Sequence, residues 1–129
     1  MVKQAILGHP ITVFGTGKQS RCFTHVRDVV GALVALSQEP KAVGQVFNIG
    51  SSTEITIENL AKLIKKTTRS KSEIHYIPYD EAYEEGFEDM PRRVPNISKA
   101  AKAIGYKPTL DLNDILKDVI EQQRNGNAL

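Results

Sequence analysis

The sequence holds one cysteine, Cys22, which excludes an internal disulfide framework and any multi-cysteine metal site and fits a reducing compartment. It has no apolar run of membrane-spanning length, and no secretory pattern follows Met1. A cytoplasmic protein with no membrane partner is therefore expected. Neither sign of charge dominates, since seventeen basic residues face fifteen acidic ones for a formal charge of +2. So small an excess predicts no nucleic-acid partner from the global field. His9, His25 and His75 are too scattered for metal-ligand spacing, so no metal site is expected. Internal repeats and low-complexity tracts are missing as well. What remains is 129 residues, 40% hydrophobic and 25% charged, the composition of one soluble globular domain or domain fragment.

Periodicity divides the chain into α/β elements. Residues 1 to 8 read as the end of a helix stopped at Gly8, with His9-Pro10 preventing its continuation. Ile11 to Phe14 and Arg21 to Val26 are β-rich runs around a glycine-containing loop, a hairpin pattern. Asp28 is placed to cap a helix running to about Gln38, and its "VVGALVALS" is apolar almost all round, as in a helix buried on more than one side. Residues 45 to 49 and 73 to 77 read as strands. Thr56 opens an amphipathic helix with Ile57, Leu60, Ala61 and Ile64 on one face. Ser98 caps a brief helix ended by Gly105, and Asp111 caps a last one carrying Leu112, Ile115, Leu116 and Val119. Residues 80 to 89 hold six of the fifteen acidic residues and lead into "MPRRVPN", which reads as an exposed loop.

The stretch "GTGKQSRCF" at 15 to 23 has the look of a phosphate loop. A nucleotide-triphosphate loop needs glycine where Thr12 stands and a hydroxyl residue where Gln19 stands. A dinucleotide fingerprint needs a third glycine where Ser20 stands, and a helix after it. Gly15 and Gly17 are therefore read as turn residues with positive φ. Strand alternation puts Thr12 and Phe14 on one face, and Arg21, Phe23 and His25 on one face of the next run. An aromatic wall beside a guanidinium suits a nucleobase beside a phosphate; a core role for both phenylalanines with Arg21 on the surface is the plainer alternative. Cys22, pointing away from Arg21, is read as packed. Asn48 suits a strand-end turn, and the basic run Lys62, Lys65, Lys66, Arg69 and Lys71 suits a solvated helix face.

Three segments in order, "PITVFGTGKQSRCFTHVRDVVGALVAL", "GQVFNIGSSTEITIENLAKLI" and "RRVPNISKAAKAIGYKPT", resemble the C-terminal part of NAD-dependent nucleotide-sugar epimerases, dehydratases and decarboxylases. These form part of the extended short-chain dehydrogenase/reductase superfamily, and the resemblance includes its UDP-glucuronate decarboxylase-like and UDP-glucose 4-epimerase-like branches. It implies an α/β fold: the substrate-binding part of a larger enzyme, with a small β-hairpin plus helices and, over residues 28 to 50, the closing helix and strand of a Rossmann sheet. NAD is then a cofactor of the parent enzyme and is not bound by this part alone. No tyrosine of the chain has a lysine four residues later, so the family's Tyr-x-x-x-Lys pair is missing and no catalytic residue is expected here.

Carried over by position, the resemblance gives Arg21 the substrate diphosphate, with Phe23 two places on. It puts Thr12 and Phe14 in the nucleobase pocket, Arg93 at the diphosphate as a second arginine, and Asn96 near the ribose where the family usually has aspartate. Asparagine still accepts a hydroxyl hydrogen bond but brings no charge. Without the resemblance, Arg92 and Arg93 read as a solvated pair opposite the acidic run. The implied ligand is a nucleoside-diphosphate sugar, and the implied homotypic partner is a homodimer or other self-association through the Rossmann-facing surface. The alternative is a stand-alone anion-binding or interaction module without catalysis.

Overall fold

The computed structural model describes residues 1–82 and 89–126. It divides the described residues into two units: residues 1–21, 55–82, 89–92 and 116–126 form the first, and residues 22–54 and 93–115 the second. Among the described residues no helix is long and apolar enough to cross a membrane.

In the first unit, helix α1 (Val2–Leu7) ends on Gly8 in the left-handed conformation, φ 72°. Strand β1 (Ile11–Phe14) follows. Its Ile11 and Val13 are completely buried, and Thr12 is tied to α1 by Gln4, whose Nε2 donates to Thr12 Oγ1 at 3.1 Å. Strand β2 (Ser20–Cys22) is shorter than the expected run and pairs with β3 (Glu54–Thr56). The expected pairing of β1 with the run after it is corrected: β1 instead runs parallel to β4 (Ile74–Ile77), with Ile11 opposite Ile74 and Phe14 opposite Ile77. A parallel partner requires a long crossover, and helix α3 (Ile57–Thr68) lies within it. The turn signal at 15 to 19 is local, whereas the strand's partner lies about sixty residues on. Leu60, Ala61, Ile64 and Thr68 of α3 are buried, and α3 packs against α1 and β1. The short helix α4 (Tyr79–Ala82) takes in residues 80–82, expected as loop; residues 83–88 of the acidic run lie outside the described residues.

In the second unit, helix α2 (Val26–Ser37) starts earlier than its acidic residue suggested. The cap is His25, whose Nδ1 accepts from the Arg27 amide at 3.1 Å. His25 thus leaves the strand, and the expected shared face of Arg21, Phe23 and His25 does not form because β2 ends at Cys22. Asp28 sits in the first turn, where a negative charge suits the helix dipole. Its carboxylate accepts from Thr109 Oγ1 at 2.7 Å and from the Thr109 and Leu110 amides at 3.1 Å each. A 3-10 turn, Pro40–Ala42, follows α2. Residues 45–49 are not a strand: they have no ladder partner among the described residues, although Phe47 and Ile49 alternate inward onto Ala32, Ala100 and Tyr106. Helix α5 (Ser98–Ile104) ends on Gly105 at φ 67°. Ser98 is not its cap; the Asn96 side chain accepts from the Ser98 amide at 3.0 Å and from its hydroxyl at 2.7 Å. Helix α6 (Leu112–Arg124) passes from this unit into the first. Asp111 accepts from the Asn113 and Asp114 amides at 2.7 and 3.1 Å, while Asp114 accepts from the Asp111 amide at 2.8 Å, a reciprocal cap.

Burial opposes the charge on Asp28, but the hydrogen bonds from the Thr109 hydroxyl and the Leu110 and Thr109 amides outweigh it and hold the carboxyl below its ordinary 3.8. A depressed carboxyl stabilises the fold above its unfolded value, and that contribution disappears as the pH falls through the folded value. Asp28→Ala is expected to cost about 1–2 kcal/mol at pH 7, near the low end because the site is solvent-accessible. Urea unfolding of both proteins checks this: their difference should shrink steadily below 3.8.

Candidate functional site

The glycine loop between β1 and β2 acts on the protein's own backbone. Gly15 and Gly17 both have positive φ, 65° and 71°, as expected for turn glycines. The Gly17 carbonyl accepts from the Glu58 amide at 2.9 Å and the Gln19 carbonyl from the Ile57 amide at 3.0 Å. Thr56 Oγ1 accepts from the Asn59 amide at 3.2 Å. Three of the donors that a helix start leaves unpaired are thus occupied, and the loop turns carbonyls toward α3. A dinucleotide pyrophosphate needs amides pointing outward from such a loop, so these residues do not fit that group.

Beside the loop, still in the first unit, lies a cavity of about 280 Å³ lined by Met1, Phe14, Gln19, Arg21, Ile57, Tyr79 and Asp89. Alternation along β1 buries Ile11 and Val13 and leaves Phe14 38% exposed at the cavity wall. Arg21, on β2, reaches the same cavity. Its Nη1 donates to the carbonyls of Ser20 and Met90 at 2.7 and 2.8 Å, and its Nη2 donates to Asp89 Oδ1. The other oxygen of Asp89 accepts from the Tyr79 hydroxyl at 2.9 Å. That hydroxyl in turn accepts from Gln19 Nε2 at 2.8 Å, and the same nitrogen also donates to the Phe14 carbonyl at 2.9 Å. One cavity therefore contains an aromatic ring, a guanidinium and a carboxylate held in place by a tyrosine.

Of the six residues singled out from sequence, Phe14 and Arg21 line this cavity. Thr12 shares the face of Phe14 but spends its hydroxyl on Gln4. Phe23, Arg93 and Asn96 belong to the second unit, where Phe23 is half-buried and Arg93 exposed, and the Asn96 side chain accepts from the Ser98 amide and hydroxyl at the start of α5. Sequence reasoning missed Gln19, Tyr79 and Asp89. Tyr79 carried no motif, and Asp89 was hidden at the end of an acidic run that read as plain surface charge. Only the fold shows that the end of this run returns to β2, where the Ser20 amide donates to the Pro91 carbonyl at 2.9 Å.

Comparison with known proteins identifies the family. The pattern of the GDP-mannose 4,6 dehydratase family matches residues 1–119. A UDP-N-acetyl-alpha-D-glucosaminuronate decarboxylase of Bacillus cytotoxicus is 37% identical over 120 residues, covering 93% of this chain and 37% of the relative. Among solved structures, the UDP-glucuronic acid 4-epimerase of Bacillus cereus in complex with UDP-glucuronic acid and NAD superposes with a TM-score of 0.82 at 26% identity, over 96% of this chain and 38% of that one. The UDP-glucose 4-epimerase of Thermotoga maritima with UDP-glucose gives 0.81 at 27% identity, over 98% and 38%. The chain thus spans little more than a third of the length of these relatives. With a family pattern running through both units, the chain belongs to the NAD-dependent nucleotide-sugar epimerases and dehydratases of the extended short-chain dehydrogenase/reductase superfamily.

Proposed function

We propose that this chain is the C-terminal, nucleotide-sugar-binding part of an NAD-dependent epimerase, dehydratase or decarboxylase. The observation that carries the proposal is that the Phe14 ring and the Arg21 guanidinium open into one cavity. A phenyl face offers a flat contact for a base, and a guanidinium matches the oxygens of a diphosphate. Arg93, exposed in the second unit, is the second candidate for the diphosphate. Asn96 is the weaker candidate for the ribose, because its side-chain oxygen is already engaged by Ser98. NAD would supply hydride exchange with the sugar. In this reading its pyrophosphate site and the acid-base pair lie in the remaining length that the relatives possess, and these residues alone do not turn over substrate.

The outer face of α2 supports the same reading. Val26, Val30, Leu33 and Val34 are 66%, 51%, 57% and 52% exposed, so the helix buries one side and not the two its composition suggested. A contiguous apolar face of this kind marks a surface that something covers; we assign it to the remaining length of the enzyme, with self-association of the isolated chain through that face as a consequence.

The test is calorimetric titration of the 129-residue chain with UDP. Each charge-assisted contact to a diphosphate contributes about 1.5–3 kcal/mol. Arg21→Ala should therefore weaken UDP binding by about tenfold or more, with Arg21→Lys intermediate. Equal affinity of wild type and Arg21→Ala would refute the assignment.

A further inference from the structure

Arg21 is not an open anion receptor in this structure. Of the five N–H groups of a guanidinium, three are engaged: two by the Ser20 and Met90 carbonyls and one by the Asp89 carboxylate. The carbonyls leave its charge intact. Asp89 cancels it, in a setting where the two side chains are only 23% and 25% exposed. Asp89 is also held there from behind, because Tyr79 donates to its second oxygen at 2.9 Å while Gln19 holds the Tyr79 hydroxyl at 2.8 Å. Gln19 is itself anchored to the Phe14 carbonyl at 2.9 Å. A carboxylate fixed at both oxygens on the wall of the cavity is presented in the manner of a ligand's own anionic oxygen.

We propose that Asp89 is an internal competitor for the anion site at Arg21, aligned by Tyr79, so that a phosphate binding at the Nη2 edge competes with its carboxylate. This rests on the reading of Arg21 as the diphosphate contact and adds a residue that sets its affinity. Like charges so close oppose a dianion strongly, and a phosphate oxygen that takes the Nη2 edge of the guanidinium meets the carboxylate there. Removing the charge of Asp89 therefore strengthens anion binding, whereas a residue that merely oriented Arg21 would weaken binding when lost. The two roles differ in sign.

The experiment titrates the 129-residue chain with inorganic pyrophosphate and with UDP, as wild type, Asp89→Asn, Tyr79→Phe and Arg21→Ala, with thermal unfolding confirming that each variant is folded. Asp89→Asn is expected to tighten both ligands about tenfold, and Tyr79→Phe, which frees one oxygen of Asp89, to tighten them by a smaller factor. In the double variant Asp89→Asn/Arg21→Ala the gain should vanish, because the competition exists only at the guanidinium. If Asp89→Asn weakens binding as Arg21→Ala does, Asp89 is a positioning residue and the proposal fails while the functional reading stands. If Arg21→Ala leaves binding unchanged, both fail. Should neither ligand bind the wild type or Asp89→Asn, the competitor role is refuted, since removing the charge would have opened the site.

Discussion

Tyr106→Ala should lower the unfolding free energy by about 3–5 kcal/mol, the range for deleting a buried aromatic side chain. Tyr106 is 7% exposed and packs in a cluster with Ala32, Ala100, Phe47, Ile49, Ile97 and Ile104. The hydroxyl adds a separate component: it donates to the Gly50 carbonyl at 3.1 Å. Gly50 itself is closely packed, since a Cβ there would meet Pro95 Cγ at 2.9 Å. Tyr106→Phe isolates the hydroxyl and should cost about 1 kcal/mol. Burial first, and the Asp28 charge second, push the phenol above its ordinary 10.0, against a smaller opposing effect from the bond to Gly50. An acid whose folded value is raised loses stability as the pH rises past the unfolded value, so wild type should weaken above about 10 and Tyr106→Phe should lack that component. Urea unfolding of the three proteins at pH 7 and above 10 measures both effects. A loss below about 1 kcal/mol for Tyr106→Ala would show that this cluster does not hold the second unit together.

Gly15→Val should cost about 2–4 kcal/mol in the first unit. Two causes add. At φ +65° the backbone is in the left-handed region, where a β-branched residue is strongly disfavoured. The new Cβ would also lie 2.4 Å from Tyr79 Cε2 and 2.7 Å from Cζ. An isolated tyrosine would swing aside, but this ring is tied through its hydroxyl to Gln19 and Asp89. Moving it breaks the chain of contacts that ends at Arg21. Adding Tyr79→Ala to Gly15→Val should remove the steric part and leave the backbone part, so the double variant should lose less than the two single losses combined. If the losses are simply additive in unfolding experiments, ring and glycine are not in the contact described.

Much of the secondary structure was legible because it depends on near neighbours in sequence. The spacing of Leu60, Ala61 and Ile64 marks the buried face of α3, Thr56 caps it, Gly8 and Gly105 end their helices, and Asp111 starts the last one. Three-fold local agreement of period, cap and stop leaves little room for another reading. Where the reading failed, two similar local options competed. His25 and Asp28 can both cap a helix, and Asp28 was drawn instead to Thr109 and Leu110, eighty-one and eighty-two positions away. Residues 45–49 have the composition and alternation of a strand, but a strand needs a neighbour's hydrogen bonds, and composition does not supply one.

The sequence by itself determined the family, the longer helices and the existence of β1 and β4. These follow from side-chain period, from turn chemistry and from residues that stand at motif positions, all of which are properties of short segments. Only the tertiary structure decided that β1 lies beside β4, that the glycine loop caps α3 with carbonyls, and that Arg21 meets Asp89 across sixty-eight positions. Those outcomes depend on which distant groups are brought within hydrogen-bonding reach when Ile11, Val13 and Leu60 are buried. A hydrogen bond carries no trace in the sequence of where its partner lies, and burial is satisfied by any apolar neighbour of suitable shape.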